Sequence, residues 1–158
     1  MANDNPRSTF AIAGHPLHPL LVPFPIAFLV GALVTDIAYV KSGWWMWAYA
    51  SSWLIGAGIV MALVAAIAGF TDFFGDRRIR RLKRAWYHMI GNLTAVLLSI
   101  VNFIIHTRDG EAAVVPTGIA LSGVVVLLLL FNGWMGGEMV FRHGVGVHSP
   151  PEVPGAEQ

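Results

Sequence analysis

The sequence predicts an all-α integral membrane protein folded as an antiparallel four-helix transmembrane bundle. Three observations predict it. Of the 158 residues, 56% are hydrophobic and only 12% charged, with a mean hydropathy of +0.64, whereas soluble domains are about 25% charged. Four nearly uncharged runs, at about 20–40, 45–70, 86–106 and 116–137, each reach the ~20 residues a helix needs to cross a ~30 Å hydrocarbon core. The links between them, 41–43, 72–84 and 107–115, are short, which favours antiparallel neighbours. One domain is all this length allows.

Residues 1–14 are polar and then mixed, and are expected to form a mobile arm ahead of a membrane domain over 15–141. The first span opens with prolines and carries Asp36. With a single Arg before it and no clear cleavage signal ahead of residue 30, it reads as a retained span rather than a signal peptide. The second span carries Ser52, Gly56, Gly58, Ala62, Ala65, Ala66 and Gly69, a ridge of small residues along which another helix can approach. The fourth span is expected to start at Pro116, a good first-turn residue, and to end in Asn132, Gly133, Gly136 and Gly137. Residues 142–158, with Gly144, Gly146, Pro150, Pro151 and Pro154 and no apolar periodicity, are expected to be a disordered tail.

Basic residues orient these spans. The link Arg77-Arg78-Ile79-Arg80-Arg81-Leu82-Lys83-Arg84 holds six of the ten Lys and Arg. With four spans it shares a side with Arg7 and Arg142, leaving Lys41 and Arg108 opposite. That asymmetry predicts a multi-pass protein with both termini cytoplasmic. Tyr39, Trp44, Trp45, Trp47 and Tyr49 cluster at one interface, and Trp86, Tyr87 and Trp134 at the other, as aromatic belts do. The lipid bilayer is thus the first partner, with the basic link suited to anionic headgroups. Nucleic acid is not an expected partner for so short a loop held at a membrane. The small-residue helix faces offer a route to a homo-oligomer.

Cysteine is absent, which removes disulfides, thiolate metal sites and cysteine nucleophiles. Phosphate loops, dinucleotide fingerprints and Gly-x-Ser-x-Gly are also missing. Histidine and buried polar residues carry what chemistry there is. In the third span His88, Asn92, Ala95, Ser99, Asn102 and His106 recur at steps of four and three, so one helix face is polar or small from end to end. Such a face must point into the bundle. His88 and His106 lie ~27 Å apart along that helix.

His15, His18, His88 and His143 come to the cytoplasmic side from three chain segments. Neutral imidazole is the commonest metal ligand and an axial haem ligand. In His15-Pro16-Leu17-His18-Pro19 each histidine precedes a proline, which biases both toward extended or polyproline II backbone. Their Cα atoms would then lie ~9 Å apart along one edge. That is awkward for chelating a single ion, so one ligand plus one hydrogen-bonding partner is the better reading. The other side holds Asp36, Asn102 and His106, as a structural polar pair or a proton path. Asp72 and Asp76, beside the arginines, are explained by pairing or helix capping.

The blocks Gly14-His15-Pro16-Leu17-His18-Pro19, Phe24-Pro25-Ile26-Ala27 with Asp36, Gly69-Phe70-Thr71-Asp72, His88 with Asn92, and Trp134-Met135-Gly136-Gly137-Glu138-Met139-Val140 together resemble domain-of-unknown-function family 2231. This is a family of small bacterial membrane proteins, and the resemblance covers about residues 14–147. It implies a four-span membrane domain. Some members are joined to Rieske-type or other redox domains, which suggests electron transfer with a separate redox partner here. The residues point to a membrane redox subunit binding a b-type haem, or a divalent metal ion, through His88 with His18, His15 or His143, and with Asn92 orienting the ring. The alternatives are an accessory or assembly bundle without a cofactor, and a small solute or proton transporter using Asp36, Asn102 and His106.

Overall fold

Turn and proline chemistry sets the element boundaries in the computed structural model, which describes residues 5–147. Ala13 and Gly14 both take positive φ, at 50° and 81°, the geometry of a tight hairpin turn. They close a small antiparallel ribbon, β1 (Ala11–Ile12) against β2 (His15–Pro16), with Ile12 opposite His15. Pro16, extended at ψ 128°, then precedes α1 (Leu17–Leu21). Pro19 lies in the first turn of α1, where a missing N–H is harmless. α2 (Pro23–Ser42) follows after Val22 and ends at left-handed Gly43. α3 (Trp45–Gly75) leads into the short basic α4 (Arg77–Arg81) and then α5 (Lys83–Asp109).

A 3-10 turn over Gly110–Ala113 and a wider turn over Val114–Gly118 join α5 to α6 (Ile119–His143). Val115 is extended at φ −119° and ψ 130°, as a residue before proline prefers. Pro116 therefore belongs to the turn, and the last helix starts three residues later than expected. Three helical runs among the described residues are long and apolar enough to cross a membrane: Leu17–Ser42, Trp45–Gly75 and Lys83–His143. The last run, of 61 residues, contains α5, the two turns and α6.

α2, α3, α5 and α6 pack as a ring in which each helix touches two neighbours, α2 against α3 most extensively. The interior is built from small and polar residues. Ala32, Ala48, Ala65, Ala68, Ala95, Ser51, Ser99, Asn102 and Asn132 are buried, while Trp53, Val60, Ile67, Leu97, Leu127, Leu130 and Phe131 face outward. That inversion of the soluble pattern suits helices whose outer faces meet lipid and whose backbones approach closely. Leu29, Ala32, Ile55 and Val125 form the main apolar contact. Phe73, Ile79 and Ala85 pack a second cluster at the end that carries α4, called the basic end here.

The first described residues, expected within a mobile arm, are fastened to the basic end. The Asp72 carboxylate accepts hydrogen bonds from Thr9 N (2.7 Å), Phe10 N (2.9 Å) and Ser8 Oγ (2.9 Å). Asp76 accepts from Arg7 N at 3.0 Å. The start of the expected tail is tied down too: Gly146 N donates to Pro6 O (2.9 Å) and Asn5 Nδ2 to Val147 O (3.2 Å). Residues 148–158 of that tail, His148 among them, lie outside the described residues.

Candidate functional site

Two clusters of polar side chains stand out in this interior, one at each end of α5. At the end away from the basic helix, four side chains from three helices close on one another. Asp36 from α2, Asn102 and His106 from α5, and Ser122 from α6 are each at least 97% buried. Ser122 Oγ donates to Asp36 Oδ2 at 2.6 Å and receives from Asn102 Nδ2 at 2.9 Å. His106 Nε2 lies 3.3 Å from Asp36 Oδ1, and its Nδ1 lies 3.0 Å from the Asn102 carbonyl one turn back. Asn102 Oδ1 is buried with no donor among the described residues. Gly118 is small by necessity, since a Cβ there would lie 2.5 Å from His106 Cε1 and 2.7 Å from Ala113 O.

At the basic end, His18 from α1 and His88 from α5 face each other with ring centroids 6.4 Å apart and planes at 90°. Both rings are held from behind. His18 Nδ1 is 2.9 Å from Ala65 O of α3, and His88 Nδ1 is 3.0 Å from Asn132 O of α6. A carbonyl can only accept, so Nδ1 carries the proton in both rings and each Nε2 is left with its lone pair. Asn92 Nδ2, one turn along α5, donates to His88 Nε2 at 3.0 Å. The Asn132 side chain is 2% exposed, and neither its Oδ1 nor its Nδ2 has a partner among the described residues. Gly69 and Gly136 leave space for the rings: a Cβ would sit 3.0 Å from His18 Cε1 and 3.2 Å from His88 Cε1.

This arrangement sorts the candidate residues. His18, His88 and Asn92 come together, as do Asp36, Asn102 and His106. His15 does not join the pair. It is exposed on β2 with Nδ1 3.0 Å from Ala13 O, because the Ala13–Gly14 turn folds it into the ribbon. The expected polyproline edge is also absent, since His18 lies inside α1. His143 ends α6 half-buried, with no ring contact or hydrogen bond to either ligand candidate. Among the described residues no group of three His, Cys, Asp or Glu converges as a metal site. An ion held by side chains alone would therefore have two imidazoles.

Ser122, Asn132 and the carbonyl of Ala65 are site residues that the sequence reading did not single out as functional. Ser122 and Asn132 are lone hydrogen-bonding side chains in the apolar run 119–131 and at its end, which is a usable signal. Ala65 contributes only backbone, which no pattern reveals. Around the site Arg84 and Arg142 both pair with Glu138, and Asp76 caps α4 through Arg78 N at 2.8 Å. The Arg78 guanidinium, hydrogen-bonded to Asp76, holds that carboxyl well below the usual carboxylate range.

Long apolar helices around a polar, small-residue interior define a helical membrane protein. Within that class the chain belongs to the predicted membrane protein family DUF2231, whose model matches residues 14–149. No curated protein and no solved structure matches the chain.

Proposed function

We propose that this chain is a four-crossing antiparallel bundle of the bacterial inner membrane, with both termini cytoplasmic, that holds one haem b between His18 and His88. It would then act as an electron-transfer subunit for a partner protein. The observation that carries this reading is the facing pair of imidazoles at 6.4 Å. Each ring gives its Nδ1–H to a backbone carbonyl and so keeps an Nε2 lone pair, and His18 and His88 would hold the group through those two atoms.

The residues behind the rings support the same reading. Metal-bound histidines usually donate the distal N–H to a carbonyl or carboxylate, which fixes tautomer and ring orientation. Ala65 O and Asn132 O stand in that position. Asn92 Nδ2 donates to His88 Nε2 at 3.0 Å and so orients the ring whose lone pair would hold the group. Bound haem supplies one-electron chemistry. The chain supplies two oriented ligands, a water-poor setting and a basic face for an acidic partner surface or anionic lipid. The test is a reduced-minus-oxidised spectrum of detergent-purified protein made with haem supplied. A b-type difference band at one haem per chain is expected, and the absence of both haem and a stoichiometric metal would overturn the reading.

A further inference from the structure

The quartet at the opposite end takes no part in the haem reading, and it carries an inference independent of it. We infer that Asp36 and His106 form an intramembrane proton-binding site, holding one proton between carboxylate and imidazole and exchanging it with water at that end of the bundle.

Counting hydrogens leads there. His106 Nδ1 faces the Asn102 carbonyl, so it carries a hydrogen. His106 Nε2 faces Asp36 Oδ1, and two lone pairs would meet unless one of those atoms is protonated. With the proton on nitrogen the pair is imidazolium and carboxylate; with it on oxygen it is imidazole and carboxylic acid. Both forms are neutral, and its loss leaves a buried negative charge. The remaining contacts need no further proton. Ser122 Oγ passes its own hydrogen to Asp36 Oδ2 and accepts one from Asn102 Nδ2.

Two observations point beyond a structural bridge. A neutral hydrogen-bonding pair would join α2 to α5 without placing two ionisable groups inside a membrane helix bundle, where such groups are rare and mark ion or proton routes. The Asn102 Oδ1 acceptor, buried on the amide that touches Ser122, has no donor among the described residues. A water molecule delivering the proton would fill it. Gly118, the last residue of the turn before α6, lies against the ring, since a Cβ there would sit 2.5 Å from His106 Cε1.

The surrounding charges lie outside the quartet. Tyr39 of α2 donates to Glu111 of the 3-10 turn at 3.3 Å. Lys41 of α2, Tyr49 of α3, and Arg108 and Asp109 of α5 are exposed. α6 brings Ser122 and no titratable group at this end.

Infrared spectroscopy of the full chain in lipid nanodiscs, titrated in H2O and D2O, tests this. Over about pH 4–10 a deuterium-sensitive carboxyl or imidazolium band corresponding to one proton per chain is expected to appear in the wild type. Asp36→Asn should abolish it, and Ser122→Ala should keep it with proton affinity changed about tenfold. A wild-type spectrum that does not titrate, or a band that survives in Asp36→Asn, overturns the inference. So does a sodium-dependent change at constant pH in place of the pH response. If Asp36→Asn does not fold, the wild-type and Ser122→Ala titrations decide alone.

Discussion

The two ends of α5 present the same pair of residue types, a histidine and an asparagine one turn apart, and the bundle completes them differently. Asn102 and His106 meet a carboxylate and a hydroxyl, and all but one of their polar atoms are partnered. His88 and Asn92 meet a second imidazole and the backbone carbonyl of Asn132, whose own side-chain amide has no partner among the described residues. A ring of satisfied groups locks helices together, because removing one member strands the others. At the basic end the orphaned Asn132 amide and the His18 Nε2 leave valences over, and the proposed ligand would use the latter. The difference teaches that intramembrane polar residues have to be judged by their remaining valences and not by their presence.

The comparison breaks most sharply at Asp36. Asp36→Ala leaves His106 and Ser122 buried without their shared partner, and is expected to cost about 3–5 kcal/mol, read as a large fall in thermal unfolding midpoint in detergent. Glycine replacements come next. Gly118→Ala presses a Cβ against both His106 and the Ala113 backbone, so it should cost ~1–3 kcal/mol. Gly91→Ala should cost less, because the nearest neighbours of its Cβ are the side-chain amide atoms of Asn132, which can shift more readily than backbone. Equal losses at the two glycines would show that the basic end is as tightly closed as the other.

Asn132→Leu sharpens the contrast from the opposite direction. An orphaned buried amide costs ~1–3 kcal/mol, so an apolar isostere should leave stability within ~1 kcal/mol of the wild type. A fall of several kcal/mol would mean that Asn132 is already satisfied. The smallest effect concerns pH. Asp76 has its carboxyl pKa lowered in the folded state, so its stabilising contribution is complete above the unfolded value near ~4 and is lost only as pH falls through the lower folded value. Limited proteolysis of the segment tied by Arg7 and Thr9 should therefore be unchanged from about pH 8 to pH 5, whereas Asp72→Ala should expose it throughout.

Apolar run length and spacing made the helices legible in the sequence, together with the inward polar face of α5. The same spacing placed His88 beside Asn92 and His106 beside Asn102, because contacts one turn apart are local. Cross-helix partners were less legible. Nothing local says that Ser122 reaches Asp36 or that the Ala65 carbonyl holds His18, since both depend on how the helices are rotated in the ring. The contacts of His15 and of the N-terminal segment were less legible still. A residue before proline is extended in either case, but the Ala13–Gly14 turn paired His15 with Ile12. Asp72 read as a partner for arginine or a helix cap, while its carboxylate gathers backbone N–H groups from residues 9 and 10.

The most direct test of a ligand site at the basic end, distinct from the Asp36–His106 quartet at the other, is a haem titration of the purified chain, run in parallel on His88→Ala and His106→Gln. The account predicts one haem per chain with bis-histidine spectra in the wild type and in His106→Gln, and loss of that spectrum in His88→Ala. Absence of stoichiometric binding in the wild type, or binding that His88→Ala leaves unchanged, would contradict it.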